Sequence, residues 1–148
     1  MDLKQRLKQY EGTKQYQAKL GYFKNGKFWP YKDSLGYSTI GYGHLISNGE
    51  QFSTGITEEE ADKLLSRDLA KVIMQVQTLG LNIPDDWNDF IIIMAFQLGV
   101  AGVLKFRKML EALKVQNYSE AIRQAKDSLW YRQTPNRVND MIKQLKNK

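Results

Sequence analysis

From Thr57 onward the chain commits to one long helix, and that helix limits every other choice. Thr57-Glu58-Glu59-Glu60 has the capping-box arrangement, a threonine at the N-cap and a glutamate three residues on. Ala61, Leu64, Leu65, Leu69, Val72, Ile73 and Val76 then keep helical period toward Gly80. A stripe that long must be covered along its whole length, so the remaining residues have to be distributed along it. With 148 residues and 42% apolar content, the chain can build one sizeable core or two small lobes sharing this helix, and is too short for several independent domains.

The flanking segments differ in texture. Leu3, Leu7 and Tyr10 recur at helical spacing with Lys4, Arg6 and Lys8 between them, a short amphipathic helix that runs into Glu11 and stops at Gly12. Between Tyr22 and Tyr42 aromatic and β-branched residues alternate with turn formers. Lys24-Asn25-Gly26-Lys27 predicts a hairpin, and Asp33-Ser34-Leu35-Gly36 a second turn. Beyond Gly80 the pattern is helical throughout. Pro84-Asp85-Asp86 opens a helix with Trp87, Phe90, Ile91, Met94 and Leu98 on one stripe, ended by Gly99. Phe106 to Val115, Ser119 to Ser128, and a last helix N-capped by Thr134 with Pro135 at its first position follow. The expected fold class is α+β, a small antiparallel sheet lobe joined by a long helix to an all-α lobe.

Composition excludes several classes. The longest apolar run, Phe90 to Phe96, is far short of the ~20 residues of a membrane span, and Lys4, Arg6 and Lys8 interrupt any N-terminal signal-like stretch. No stable membrane insertion and no secretory signal are expected. With no cysteine, disulfides and thiolate metal sites are ruled out. The net charge of +6 attracts polyanions, but the basic residues are scattered and form no five-residue cluster, so nucleic acid is not the expected partner.

Cleaving a glycosidic bond takes a protonated acid at the leaving oxygen and usually a second carboxylate across the sugar. Glu11, at a helix end, and Asp33, in a sheet turn, are candidates, although spacing alone would not select them: a helix-capping glutamate, an Asx-turn aspartate and a strand threonine at Thr39 are the ordinary uses of such residues. A longer pattern selects them. Glu11-Gly12, followed by Tyr31-Lys32-Asp33-Ser34-Leu35-Gly36-Tyr37-Ser38-Thr39-Ile40-Gly41-Tyr42-Gly43-His44-Leu45, resembles the active-site signature of the phage lysozyme family. Phe96-Gln97-Leu98-Gly99 and Trp130-Tyr131-Arg132-Gln133-Thr134-Pro135-Asn136-Arg137 resemble that family's helical lobe in the same order.

The resemblance implies a lysozyme-like two-lobe fold in one domain: a sheet lobe over about 12–56, a connecting helix over about 57–79, and a helical lobe over about 80–148 that includes the N-terminal helix 2–11. It implies a muramidase that opens the β-1,4 bond between N-acetylmuramic acid and N-acetylglucosamine of bacterial peptidoglycan. Glu11 is then the general acid, Asp33 the second carboxylate and Thr39 the hydroxyl that helps place water. Leu45, Phe96 and Gln97 match positions that line the saccharide site, and Arg137 a position near the acid. His44, the only histidine, pairs in the family with a carboxylate that falls at Asp68. No metal ligand cluster and no cofactor are implied. A monomer is expected, made in the host cytoplasm and reaching the wall through a holin-type membrane pore.

Two departures bear on the site. Family substrate positions align with Met109 and Gln124, where the family's residue types are not kept. Residues Tyr16 to Trp29 are inserted between the two carboxylates, relative to the shorter connection of the family's prototype. That insert is expected to be a hairpin burying its own aromatics, with an enlarged site wall of Tyr22, Phe23, Phe28 and Trp29 as the alternative. A lytic transglycosylase and a noncatalytic basic binding module are the competing functional readings.

Overall fold

The computed structural model describes residues 1–148 and divides into two compact units, Met1–Ala70 and Lys71–Lys148. The first opens with α1 (Leu3–Glu11), whose Asp2 carboxylate accepts the Gln5 amide at 2.8 Å while Gln5 accepts the Asp2 amide at 2.9 Å. Gly12, with φ of 108°, ends it. A second helix, α2 (Lys14–Leu20), follows at once, N-capped by the Thr13 hydroxyl and closed by Gly21 in the left-handed region.

Two small sheets complete this unit. In the first, β1 (Phe23–Lys24), β2 (Lys27–Phe28) and β6 (Ile56–Thr57) pair antiparallel in that order. Asn25 and Gly26 both have positive φ, 54° and 72°, the two-residue geometry that matches hairpin twist. The second sheet holds β3 (Tyr31–Lys32), β4 (Ser38–Ile40) and β5 (His44–Leu45), with Tyr31 opposite Thr39 and Thr39 opposite Leu45. Phe28, Ile40, Tyr42, Ile56 and Leu65 form buried packing, with Phe28 edge-on to Phe23 at 4.7 Å and to Tyr42 at 5.1 Å. The capping box at Thr57 launches α3 (Glu58–Gln77): Thr57 donates to the Glu60 carboxylate at 3.0 Å, and Glu60 donates back to the Thr57 hydroxyl at 3.2 Å. This helix carries the chain across the boundary at Ala70.

The second unit is helical. α4 (Asp85–Leu104) begins after Pro84, and Trp87, Phe90, Ile91 and Met94 are buried. Rings continue the packing from Phe90 to Trp130 and from Trp130 to Phe106, each at 6.0 Å. By length and composition α4 would suffice to cross a bilayer, a property that unbroken apolar runs do not reveal. Its apolar residues from Phe90 to Ala95 are instead in the core, and Gly99, with φ 75° and ψ 159°, interrupts it. α5 (Arg107–Lys114), α6 (Tyr118–Lys126), α7 (Leu129–Gln133) and α8 (Pro135–Lys143) follow. The chain end is fastened to the start of α4, where the Asp86 carboxylate accepts both the Lys146 and Asn147 amides at 2.8 Å and Trp87 Nε1 donates to Asn147 O at 3.0 Å.

Two sequence expectations need correction. The inserted segment Tyr16 to Trp29 is not a hairpin alone: its residues Tyr16 to Leu20 belong to α2, which is capped at both ends although Tyr16 and Leu20 stay exposed. Gly99 ends the first helical run as expected, and a second run follows directly to Leu104. Thr134 stands before Pro135 yet its side chain does not cap α8; the hydroxyl donates back to Trp130 O, because α7 ends there. Helix α1 lies within Met1–Ala70, where Lys4 and Lys8 each reach Asp62 of α3 at 2.8 Å.

Candidate active site

The last carbonyls of a helix have no partner further along it, so a helix end needs groups from elsewhere. At the end of α1 they come from two sides. The Tyr31 hydroxyl lies 3.4 Å from Glu11 O, and the Gln17 amide donates to Gly12 O at 2.8 Å. Glu11 is half-buried. Its carboxyl rests against the turn between β4 and β5, so closely that a Cβ at Gly43 would lie 2.6 Å from Oε1.

Asp33 stands just after β3. One carboxylate oxygen accepts the backbone amides of Leu35 and Tyr37, each at 2.9 Å. This is the Asx-turn use of aspartate, and it also fixes the orientation of the carboxylate. The charges of Glu11 and Asp33 both act on the Tyr31 phenol, whose pKa is pushed well above the ordinary tyrosine value, first by burial and then by Glu11 and Asp33. Thr39, directly across from Tyr31, is buried and donates its hydroxyl to Tyr37 O at 2.9 Å, leaving oxygen lone pairs as its remaining capacity. Leu45 continues that row on β5 and is 53% exposed, so it is not a core residue.

His44 sits between two carboxylates. Nδ1 lies 2.8 Å from Asp68 on α3 and Nε2 lies 3.0 Å from Glu50. Facing an acceptor with each nitrogen, the ring is served best as imidazolium. Its pKa is raised, chiefly by the Asp68 hydrogen bond and secondarily by Glu50, against the opposing effect of burial. Glu50 is held below the usual carboxylate range, mainly by the Ser47 amide. A histidine raised in the folded state stabilises below its unfolded pKa and loses that contribution as pH climbs through the folded value; a depressed carboxylate loses its contribution as pH falls. His44→Asn should therefore lower stability by on the order of 2 kcal/mol in the mildly acidic range between those limits. The gap should close toward alkaline pH in paired thermal melts, and a gap independent of pH would refute the charged-pair reading.

The second unit carries the other sequence-derived positions. Phe96 and Gln97 are half-buried on α4. Gln97 is engaged at both ends, accepting from Trp130 Nε1 at 2.8 Å and lying 3.4 Å from the Thr134 hydroxyl. Arg137, on α8, directs Nη2 to Ile93 O at 3.5 Å. Met109 is fully buried, and with Gln124, Lys105, Arg107 and Ser128 it lines a cavity of about 390 Å³.

Sequence reasoning missed three residues here. Glu50 follows the Asn48-Gly49 turn and is the second partner of His44. Gln17 is one of two buried polar residues. Tyr31 lay within the quoted motif without a role. The turn pair before Glu50 is the one signal that could have been used.

A model of the phage lysozyme family matches residues 23–147. The chain belongs to this family. The matched stretch contains Asp33, Thr39, His44, Asp68 and the second-unit positions but starts after Glu11, whose case rests on its surroundings. A probable T4-type lysozyme of Dictyostelium discoideum is 31% identical over 150 aligned positions, covering 83% of this chain and 88% of that protein. The pre-baseplate central spike protein Gp5 of Enterobacteria phage T4 is 33% identical over 136 positions, and the peptidoglycan hydrolase gp36 of Pseudomonas phage phiKMV 32% identical over 123. These cover 74% and 78% of this chain but only 24% and 13% of the two phage proteins. The family assignment makes this a lysozyme-type glycosidase.

Proposed function

We propose that the protein hydrolyses the β-1,4 bond between N-acetylmuramic acid and N-acetylglucosamine in bacterial peptidoglycan, acting as a monomer in phage lysis of the host wall. The observation that carries this reading is the seat of Glu11: a carboxyl at a helix end, pressed on the Gly43 backbone, with the Tyr31 hydroxyl 3.4 Å from the carbonyl oxygen of Glu11 itself. The name of the phiKMV relative supports the polymer as substrate, and the net charge of +6 favours approach to an anionic wall.

In this reading Glu11 protonates the glycosidic oxygen as the bond breaks, and Asp33 assists a water on the opposite face of the sugar. Thr39, with a lone pair left over, orients that water, giving inversion at the anomeric carbon. Leu45, Phe96, Gln97 and Arg137 serve the bound saccharide. The substrate lies outside the host membrane, so a pore made by another protein belongs to the same reading.

Purified peptidoglycan digested in isotope-labelled water tests it. The expected products are muramic acid reducing ends carrying the solvent oxygen, released first as the inverted anomer. Anhydro-muramyl ends without label would replace hydrolysis by transglycosylation, and an unchanged polymer would favour a binding module.

A further inference from the structure

Gln17 is out of place as a plain core residue. It is 2% exposed, and its Nε2 donates to two carbonyls from distant stretches of chain, Gly12 O at 2.8 Å and Gly41 O at 2.9 Å. Its Oε1 is buried without a hydrogen-bond partner. Flipping the amide would set that oxygen against two carbonyl oxygens, so the observed orientation is the one the site dictates. A buried amide with half its capacity unmet costs stability where an apolar residue would not. Such violations of packing logic are expected where position matters more than stability.

What Gln17 joins is the backbone around Glu11. The Tyr31 hydroxyl lies 3.4 Å from both Glu11 O and Gly41 O, so Gln17 and Tyr31 converge on one carbonyl while holding the two carbonyls at the end of α1. Gly41 is a firm anchor, because a Cβ there would lie 3.2 Å from Cβ of Ala61 on α3. Two residues on, Gly43 receives the Glu11 carboxyl itself. The inserted segment supplies the rest: Tyr22 stacks on Tyr31 at 4.7 Å with planes 10° apart, and its amide donates to Gln17 O at 2.8 Å. Trp29 N in turn donates to Tyr22 O at 2.8 Å, joining α2 to the hairpin.

We propose that Gln17 is a positioning residue for Glu11, and that the insert from α2 through the hairpin holds, with Tyr31, a clamp that sets the acid against the Gly41–Gly43 turn. The clamp touches no substrate. It acts through Glu11 and so rests on the reading of Glu11 as the acid. Without it the fold can persist while the carboxyl wanders, and displacement by about 1 Å costs on the order of 10²-fold in rate.

Gln17→Met keeps the length of the side chain and removes both donors. With soluble, uncross-linked glycan strands as substrate, kcat should fall on the order of 10- to 100-fold while KM changes little. Tyr31→Phe should lower kcat in the same direction, and the double variant should lose less than the product of the two single losses, since both act on one clamp. A folded Gln17→Met protein with wild-type kcat and only a lowered melting temperature would overturn the proposal. Should Gln17→Met fail to fold, Tyr31→Phe decides, and wild-type kcat there overturns it equally. Glu11→Gln in parallel separates the two failures. If Glu11→Gln is inactive and Gln17→Met is not, only the clamp falls; if Glu11→Gln is fully active, the reading beneath it falls first.

Discussion

A Glu11→Gln protein should fold normally and clear a peptidoglycan suspension ~10² to 10⁴-fold more slowly than the wild type. Glutamine has the shape of glutamic acid and can keep the place against Gly43 that the structure gives the carboxyl. It cannot deliver a proton to a departing sugar oxygen. The loss should appear in kcat with little change in KM, since an interaction needed only as the bond breaks leaves substrate binding intact. It should also stop short of the uncatalysed rate, because Asp33, its carboxylate oriented by the Leu35 and Tyr37 amides, remains in place. Initial clearance rates with matched circular dichroism spectra are the measurement. A variant that retains the wild-type rate would remove Glu11 from the chemistry and leave the basic surface as the better account of any wall binding.

How far the site was readable from residues alone depends on the kind of signal each part leaves. Periodicity exposes helices that bury a stripe: α1 with its stop at Gly12, and α3 with its start at Thr57, were both legible to the residue. Helix α2 leaves no such trace. Its signals are only Thr13 and Gly21 at the two ends, and its one buried residue is a glutamine that no apolar pattern would flag. Helix α7 is five residues long, too short for a period, and its presence is what turned the Thr134 hydroxyl back to Trp130. Likewise the carboxylate pair was weak on spacing and gained meaning through a motif, whereas Gln17 and Tyr31 hold Glu11 through backbone carbonyls, and its carboxyl rests on a glycine, partners with no side-chain signature. Backbone partners are set by tertiary approach, and a linear reading has no access to that. His44 illustrates the same limit, since Asp68 came from resemblance while Glu50 was brought in by a turn.

Gly43→Ala should damage activity far more than stability, and the two effects can be separated. Gly43 has φ of 81°, where an L-residue costs about 1–2 kcal/mol. That part is ordinary and would be shared by alanine at Gly80, which also has positive φ, 62°, and nothing within 4 Å of its absent side chain. At Gly43 the added methyl meets Glu11 Oε1 at 2.6 Å, Cγ at 2.8 Å and Cδ at 2.9 Å, inside any tolerable contact. The glutamate is the softer partner, because Gly43 lies in a turn between paired strands while the Glu11 side chain can rotate. The clash is therefore relieved by moving the carboxyl out of its seat, which would cost on the order of 10²-fold in kcat. Gly80→Ala should show a similar fall in melting temperature with wild-type turnover. Equal activities for the two variants would mean that the seat on Gly43 is not where Glu11 works, and the acid would then have to act from another rotamer.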